Sequence, residues 1–203
     1  VVAMAGLERG VIDRETRFRA CTGGLRLGNR VFHCWEERGH GSLAAVDAIS
    51  RSCDVYFYQL GERLGVDRIA AESRRFGLGQ ASGIDLDLEA RGLIPDRAYY
   101  DKRFGKRGWS TGSAWNVAIG QGEVLVSVVQ MVRLYAALAN GGFLPVPRLR
   151  HHVEDVAGNT VIPFSPARGE RLNLGLAALA AVRQGMENVL AGGGTAALSA
   201  LRD

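Results

Sequence analysis

Apolar side chains recur at helical spacing along much of the chain, and glycine ends most of these stretches. The pattern predicts six helices, over residues 1–10, 43–51, 53–64, 67–76, 126–140 and 173–190. Ser52 is predicted to break the second helix from the third, and Gly65 to stop the third. In the fifth helix, the apolar positions at helical spacing are Val128, Val129, Val132, Leu134, Tyr135 and Leu138.

The rest of the chain is predicted to be loop or strand. Residues 148–162 alternate around Ala157-Gly158-Asn159, which predicts a β-hairpin, and residues 77–112 are predicted to be loop-rich. Because helices dominate and strand signals come late, the fold class is predicted to be α+β with only part of its sheet. Residues 11–41 lack clear periodicity and bury too little apolar surface to order themselves. Another interaction, such as a bound metal or a disulfide, must therefore hold them in place.

Composition places only a few limits on the domain organisation and on the class of function. The 203 residues indicate one domain or part of one, and both ends look like cuts. The net charge of +4 comes almost wholly from scattered arginines, with only Lys102 and Lys106 as lysines, so nucleic-acid binding is not expected. No apolar run approaches the ~20 residues of a membrane span, and no signal peptide is visible.

All the cysteines fall in or next to the unpatterned segment. A structural zinc site commonly takes three cysteines and one histidine in a tetrahedron. The candidate ligands are Cys21, Cys34, His40 and Cys53. His33 competes with His40, but it adjoins Cys34, and adjacent residues rarely reach one metal well. Zinc is the favoured hypothesis because the segment needs a staple; one disulfide with a spare thiol, or three buried free thiols, stay open.

The triplet Ser52-Cys53-Asp54 opens a predicted helix, where a serine is usually a simple N-cap. The wider sequence gives it a second interpretation. The triplet resembles the second motif, Ser-x-Asn or Ser-x-Asp, of the active-site serine transpeptidases. Further stretches match the class B penicillin-binding proteins in order: Phe76-Gly77-Leu78-Gly79, Ser82-Gly83-Ile84-Asp85-Leu86, Glu89-Ala90-Arg91-Gly92-Leu93-Ile94-Pro95, Asn116-Val117-Ala118-Ile119-Gly120-Gln121-Gly122, Ala136-Ala137-Leu138-Ala139-Asn140-Gly141-Gly142 and Gly193-Gly194-Thr195-Ala196.

This resemblance implies a β-lactamase/D,D-transpeptidase-like fold, here mainly its helical subdomain. Elongation-type members of the family resemble this chain in carrying a zinc site just ahead of the second motif. By position, the matching residues are Cys21, Cys34, His40 and Cys53, and relatives can have aspartate at the first two. Residues 11–54 would then form a zinc-stapled insert within a partial transpeptidase domain spanning residues 1–203.

The resemblance also implies a reaction. The parent protein would be a peptidoglycan D,D-transpeptidase that cross-links stem peptides by serine acyl transfer and is acylated by β-lactams. Ser52 would relay a proton and Asp54 would orient the catalytic lysine or the substrate amide. Partners would include cell-elongation proteins, and the location would be the periplasmic face of the inner membrane, with an anchor outside this chain.

Two motifs of the family are missing from the 203 residues. No serine is followed three residues later by lysine, and no Lys-Thr-Gly occurs. The chain as given is therefore expected to be inactive, with the nucleophile upstream and Lys-Thr-Gly downstream. The alternatives are a non-catalytic zinc-binding module of the same family, a β-lactam sensor or a β-lactamase. Trp109 and Trp115 are expected to pack in the core, with a role in the substrate cleft as the second interpretation.

Overall fold

The computed structural model describes residues 1–165 and 168–199. The helices are α1 Val2–Glu8, α2 Ala45–Ser50, α3 Asp54–Arg75, α4 Arg97–Phe104, α5 Thr111–Ala118, α6 Val128–Ala139 and α7 Leu176–Leu190, followed by a 3-10 turn at Ala197–Ser199. The strands are β1 Gly24–Leu27, β2 Arg30–His33, β3 Phe143–Leu144, β4 Val153–Glu154, β5 Thr160–Ile162 and β6 Glu170–Arg171. They form three antiparallel pairs, β1–β2, β3–β6 and β4–β5, so the expected α+β class with a partial sheet is confirmed. No described helix is long and apolar enough to cross a membrane.

The chain divides into two compact units. Unit 1 comprises residues 1–73, 95–124 and 174–203, and unit 2 comprises residues 74–94 and 125–173. The core of unit 1 is aromatic: the buried ring of Trp115 stacks on Tyr58 at 5.5 Å and meets Phe32 edge-on at 4.9 Å. These three rings tie α5, α3 and the β1–β2 hairpin together.

Helices α2 and α3 follow the predicted break. α2 ends at Ser50, Arg51 and Ser52 form a turn, and α3 begins at Asp54 after Cys53. Inside α3, Gly65 adopts φ 74° and ψ 161°, a conformation that essentially only glycine occupies. The predicted stop at Gly65 is therefore a sharp kink between two helical segments.

Unit 2 is organised around a buried polar side chain. Gln130, on α6, has no exposed surface, and its amide donates to the carbonyls of Gln80 and Arg91 at 2.8 and 2.9 Å. The guanidinium of Arg133, one turn later, donates to the carbonyl of Pro145 at 2.7 Å. These bonds connect α6 to the three loop segments that carry the carbonyls.

Two features of these elements differ from what the sequence pattern alone conveys. The predicted helix over 126–140 is present as α6, but its apolar positions are only partly buried, with Val128 80% and Val132 60% accessible, because Gln130 and Arg133 occupy the buried side. The stretch 77–112 contains α4, which the loop assignment missed. Asp96 caps α4 by accepting from the N–H of Tyr99 at 2.9 Å. In the sequence, this helix is indicated by Asp96 after Pro95 at its start and by Gly105 after its last turn.

Candidate metal centre and active-site loop

Four candidate ligands converge in unit 1. One ligand atom from each of Cys21, Cys34, His40 and Cys53 lies within 4.8 Å of the others. The three thiols are free of disulfides and buried, with Cys53 only 1% exposed. His33, the competing histidine, lies exposed at the end of β2 and is not in the cluster. The structure thus brings together the four residues that the sequence selected.

Each ligand is carried by a different local structure. Cys21 forms a bridge with Gly41, each donating its N–H to the other's carbonyl, at 2.8 and 3.0 Å. Cys34 directly follows β2 and donates its N–H to the carbonyl of Gly23 at 2.9 Å. Cys53 immediately precedes α3. The hairpin, the returning loop and the helix start therefore meet at one point.

A glycine permits this convergence. Gly39 has φ +80°, and a Cβ at this position would lie 2.2 Å from the carbonyl oxygen of Cys21. The loop carrying His40 can therefore pass against the Cys21 backbone only because residue 39 has no side chain.

The separation of the Cys34 and His40 donor atoms fits a tetrahedral metal. Zn–S bonds of about 2.3 Å and Zn–N bonds of about 2.05 Å at tetrahedral angles place sulfur and nitrogen about 3.6 Å apart. The Sγ of Cys34 and the Nδ1 of His40 are 3.5 Å apart. The second ring nitrogen of His40, Nε2, is buried and has no hydrogen-bond partner among the described residues. A neutral imidazole with its proton on Nε2 leaves Nδ1 free to bind a metal.

The electrostatics of the thiols are consistent with this fit. Burial raises the pKa of the Cys53 and Cys34 thiols above the ordinary value, and backbone N–H groups oppose this increase. The N–H groups of Glu36, Asp54 and Val55 point at the sulfur of Cys34. Two of them belong to the first turn of α3, whose N-terminus favours negative charge. Burial likewise lowers the pKa of His40, which favours the neutral ring. The cluster is therefore suited to thiolates bound to a cation and poorly suited to isolated charged thiols.

Ser52 and Asp54 flank the cluster but do not join it. Ser52 is exposed, and its hydroxyl lies 2.8 Å from the hydroxyl of Thr195. The helix begins only at Asp54, so the simple N-cap interpretation of Ser52 does not describe the structure. The Oδ2 of Asp54 accepts from the N–H of Trp35 at 3.0 Å, while Oδ1 has no hydrogen-bond partner among the described residues.

Sequence reasoning missed two neighbours of this loop. The indole N–H of Trp35 points at the carbonyls of Arg51 and Ser52, at 3.1 and 3.0 Å. The hydroxyl of Thr195 donates to the carbonyl of Ser50 at 3.0 Å. Thr195 was recognised only as part of a glycine-rich family match, and Trp35 carried no signal beyond its position next to Cys34.

The remaining tryptophans both pack within unit 1. Trp115 is fully buried in the aromatic core, which confirms its packing role. Trp109 is half-buried, stacks on Tyr100 at 5.2 Å, and donates its indole N–H to Asp101 at 2.7 Å.

Fold and sequence together define a class of protein, a transpeptidase domain. The chain matches the penicillin binding protein transpeptidase domain family over residues 1–201 and belongs to that family. It is 38% identical over 167 residues to the peptidoglycan D,D-transpeptidase MrdA of Salmonella typhimurium, covering 82% of this chain and 26% of that protein. It is 36% identical over 149 residues to MrdA of Escherichia coli, covering 73% of this chain and 23% of that protein.

Solved structures agree with the sequence relatives. Pseudomonas aeruginosa PBP2 in complex with WCK 5153 matches with a TM-score of 0.82 at 33% identity, over 97% of this chain and 44% of that one. Helicobacter pylori PBP2, in a complex with MreC, matches with a TM-score of 0.81 at 29% identity, over 98% of this chain and 35% of that one. The chain spans about a quarter of the length of the curated relatives above. The predicted transpeptidase fold and the similarity to penicillin-binding protein 2 (PBP2) are confirmed.

Proposed function

We propose that the intact protein containing this chain is a peptidoglycan D,D-transpeptidase that cross-links stem peptides and is acylated by penicillins. The observation that carries the proposal is the turn 52–54, which exposes a serine hydroxyl and a carboxylate beside the buried ligand cluster. Family membership supplies the reaction class. Because this chain has no Ser-x-x-Lys and no Lys-Thr-Gly, those motifs lie elsewhere in the intact protein under this proposal, and the chain alone is inactive.

The reaction proceeds in two acyl transfers. The nucleophile oxygen forms a bond to the D-Ala-D-Ala carbonyl carbon, the C–N bond to the terminal D-Ala breaks, and the leaving amine takes up the serine proton. An amine on a neighbouring strand then forms a C–N bond to the acyl carbon, the C–O bond to the enzyme breaks, and a proton from the amine returns to the serine oxygen. Ser52 relays the proton between the motif lysine and the leaving amine, because a hydroxyl both donates and accepts. Asp54 orients the lysine or a substrate amide through Oδ1, whose partner positions are open among the described residues.

The metal in this proposal is zinc in a structural role. Cys21, Cys34, His40 and Cys53 supply four N and S donors, which leaves no position open for a reacting water. Zinc would cross-link the loop 11–41 to the start of α3 and would take no part in making or breaking bonds. Ser52 and Asp54, on either side of Cys53, would take part in the reaction.

Partners and location follow from the relatives. The P. aeruginosa structure is described as a complex with WCK 5153, and the H. pylori structure as a complex of PBP2 with MreC. From the penicillin binding named in the family description and from the MreC complex, we propose that this protein binds β-lactams and cell-elongation proteins, at the periplasmic face of the inner membrane. Nucleic acid is not expected, because no basic patch with interleaved aromatic residues occurs in the sequence.

Labelling of the intact protein with a fluorescent penicillin tests the proposal. The wild type is expected to form a covalent adduct, and Ser52→Ala to slow acylation by about 100-fold or more, as loss of an acid–base group does. Ser42→Ala is the matched control, since Ser42 is exposed. Among the described residues, Ser42 makes its hydrogen bond through the backbone carbonyl, which accepts from Arg17 and is retained in alanine. A wild type that never labels would refute the enzyme and favour the non-catalytic module. Rapid turnover of the drug would favour a β-lactamase.

A further inference from the structure

Ser52 has an unusual backbone conformation. Its φ of 49° makes it the one non-glycine residue in the left-handed region among the described residues. Such a conformation is unfavourable for a residue with a side chain and persists only where neighbours impose it. The direction of the Ser52 hydroxyl depends on this turn, so whatever holds the turn also aims the hydroxyl.

Thr195 holds the side-chain end of Ser52. The two hydroxyl oxygens are 2.8 Å apart, although the residues are 143 positions apart in the chain. Thr195 is itself fixed at both ends, because its hydroxyl and its backbone N–H reach the carbonyl of Ser50 at 3.0 and 3.2 Å. With the threonine proton committed to that carbonyl, the Ser52 hydroxyl is the donor toward Thr195, and its two lone pairs stay available.

Trp35 holds the backbone end of the same turn. Its indole N–H lies between the carbonyls of Arg51 and Ser52, and its backbone N–H binds the carboxylate of Asp54. The ring also packs against His40, with ring centroids 5.2 Å apart. Trp35 follows Cys34 directly, so one residue connects the ligand cluster to the backbone of Ser52 and to the carboxylate of Asp54.

We propose that Thr195 and Trp35 are positioning residues for Ser52, fixing the direction of its hydroxyl for proton relay. The proposal rests on the function proposed above and adds the two residues through which the loop is held. Neither residue needs to touch substrate. Each acts on Ser52, Thr195 through the hydroxyl and Trp35 through the carbonyls of the turn.

The proposal predicts a specific ranking of Thr195 variants. In the intact protein, Thr195→Val keeps the shape and removes the hydroxyl, and it should slow the acylation step for a penicillin about tenfold, as expected for one lost orienting hydrogen bond. Thr195→Ser should restore the rate, and the dissociation constant of the initial penicillin complex should not change. Thr160→Val, on the exposed strand β5, is the matched control and should behave as wild type.

A double-mutant comparison separates positioning from general structural damage. If Thr195 acts only through Ser52, Thr195→Val should have no further effect in the Ser52→Ala protein. Trp35→Phe keeps the ring against His40 and removes the indole N–H. It should slow acylation several-fold at unchanged zinc content, and also have no effect in the Ser52→Ala background.

The outcomes separate this proposal from the function it rests on. Wild-type acylation by Thr195→Val and Trp35→Phe, together with an impaired Ser52→Ala, would overturn the positioning roles and leave the transpeptidase intact. Equal loss in Thr195→Val and Thr195→Ser, or additive loss with Ser52→Ala, would also overturn them, because both indicate a general structural role. Normal acylation by Ser52→Ala would instead refute the proton relay itself.

Discussion

At the residue scale, Ser52, Cys53 and Asp54 have different roles because their side chains point in different directions. Cys53 is buried toward the ligand cluster, whereas Ser52 is exposed and Asp54 half-exposed. Three consecutive residues can point in such different directions because they form the turn between α2 and α3, with Ser52 in the left-handed region. A metal bound at Cys53 would therefore fix the turn without competing for its polar groups.

The two histidines of the insert provide a test of the ligand set. His40→Ala is expected to weaken zinc binding by more than about 100-fold, because loss of mere supporting residues around a zinc site already costs 10–100-fold. His33→Ala is the matched control and should keep wild-type affinity, since His33 lies exposed outside the cluster. Competition against a chromophoric chelator measures both. Equal affinities for the two variants would contradict the assignment of His40.

At the element scale, backbone hydrogen bonds around the ligand cluster hold the segment 11–41, in addition to any metal that the four candidate ligands bind. The bridge between Cys21 and Gly41 and the bond from Cys34 to Gly23 close the loop on both sides of the β1–β2 hairpin. The absence of periodicity in this segment is explained by such contacts, because they involve main-chain groups and glycines rather than a repeating apolar face.

Two nearby glycines should respond differently to alanine. Gly41→Ala is expected to cost about 1–2 kcal/mol, since its φ of +72° disfavours a side chain although nothing lies within 4 Å of the new Cβ. Gly39→Ala shares that cost at φ +80° and adds a clash with the carbonyl of Cys21 at 2.2 Å. It should therefore cost clearly more, and weaken zinc binding as well. Thermal unfolding of the intact variants gives the comparison, and equal melting temperatures would show that the loop adjusts freely.

At the scale of the whole molecule, the cluster joins parts of unit 1 that are separate in sequence. The hairpin, the returning loop and the start of α3 meet there, and the aromatic core of Phe32, Tyr58 and Trp115 lies along the same elements. Burial raises the pKa of Tyr58 to about 12, which is consistent with a dry interior next to the cluster.

Metal removal should loosen this region selectively. Chelation of zinc in the intact protein is expected to lower the melting temperature by about 5 °C or more, because a ligand at 100 times its Kd stabilises the native state by about 2.7 kcal/mol. Trypsin should then cleave first within residues 14–38, where several arginines occur. Addition of zinc should reverse both effects. An unchanged cleavage pattern after verified metal loss would contradict the role of the cluster as a staple.

Much of the local structure and the ligand set followed from the sequence, because both depend on short-range patterns. Helical periodicity located α6 and α7, the glycine at position 65 marked the break in α3, and four ligand types around a segment without a core marked the cluster. The family motifs located the turn 52–54. Each of these signals is contained within a few residues, or in the order of motifs along the chain.

Only the tertiary structure decided which groups meet. On α6, Gln130 and Arg133 are buried and bound to loop carbonyls, which hydrophobic periodicity does not report. The contacts of Ser52 with Thr195 and Trp35 likewise join residues that are distant in the chain or carry no motif. Sequence thus determined many of the elements and the chemistry available. The folded chain determined how the serine is held, because that depends on contacts between segments that are 17 residues apart in one case and 143 in the other.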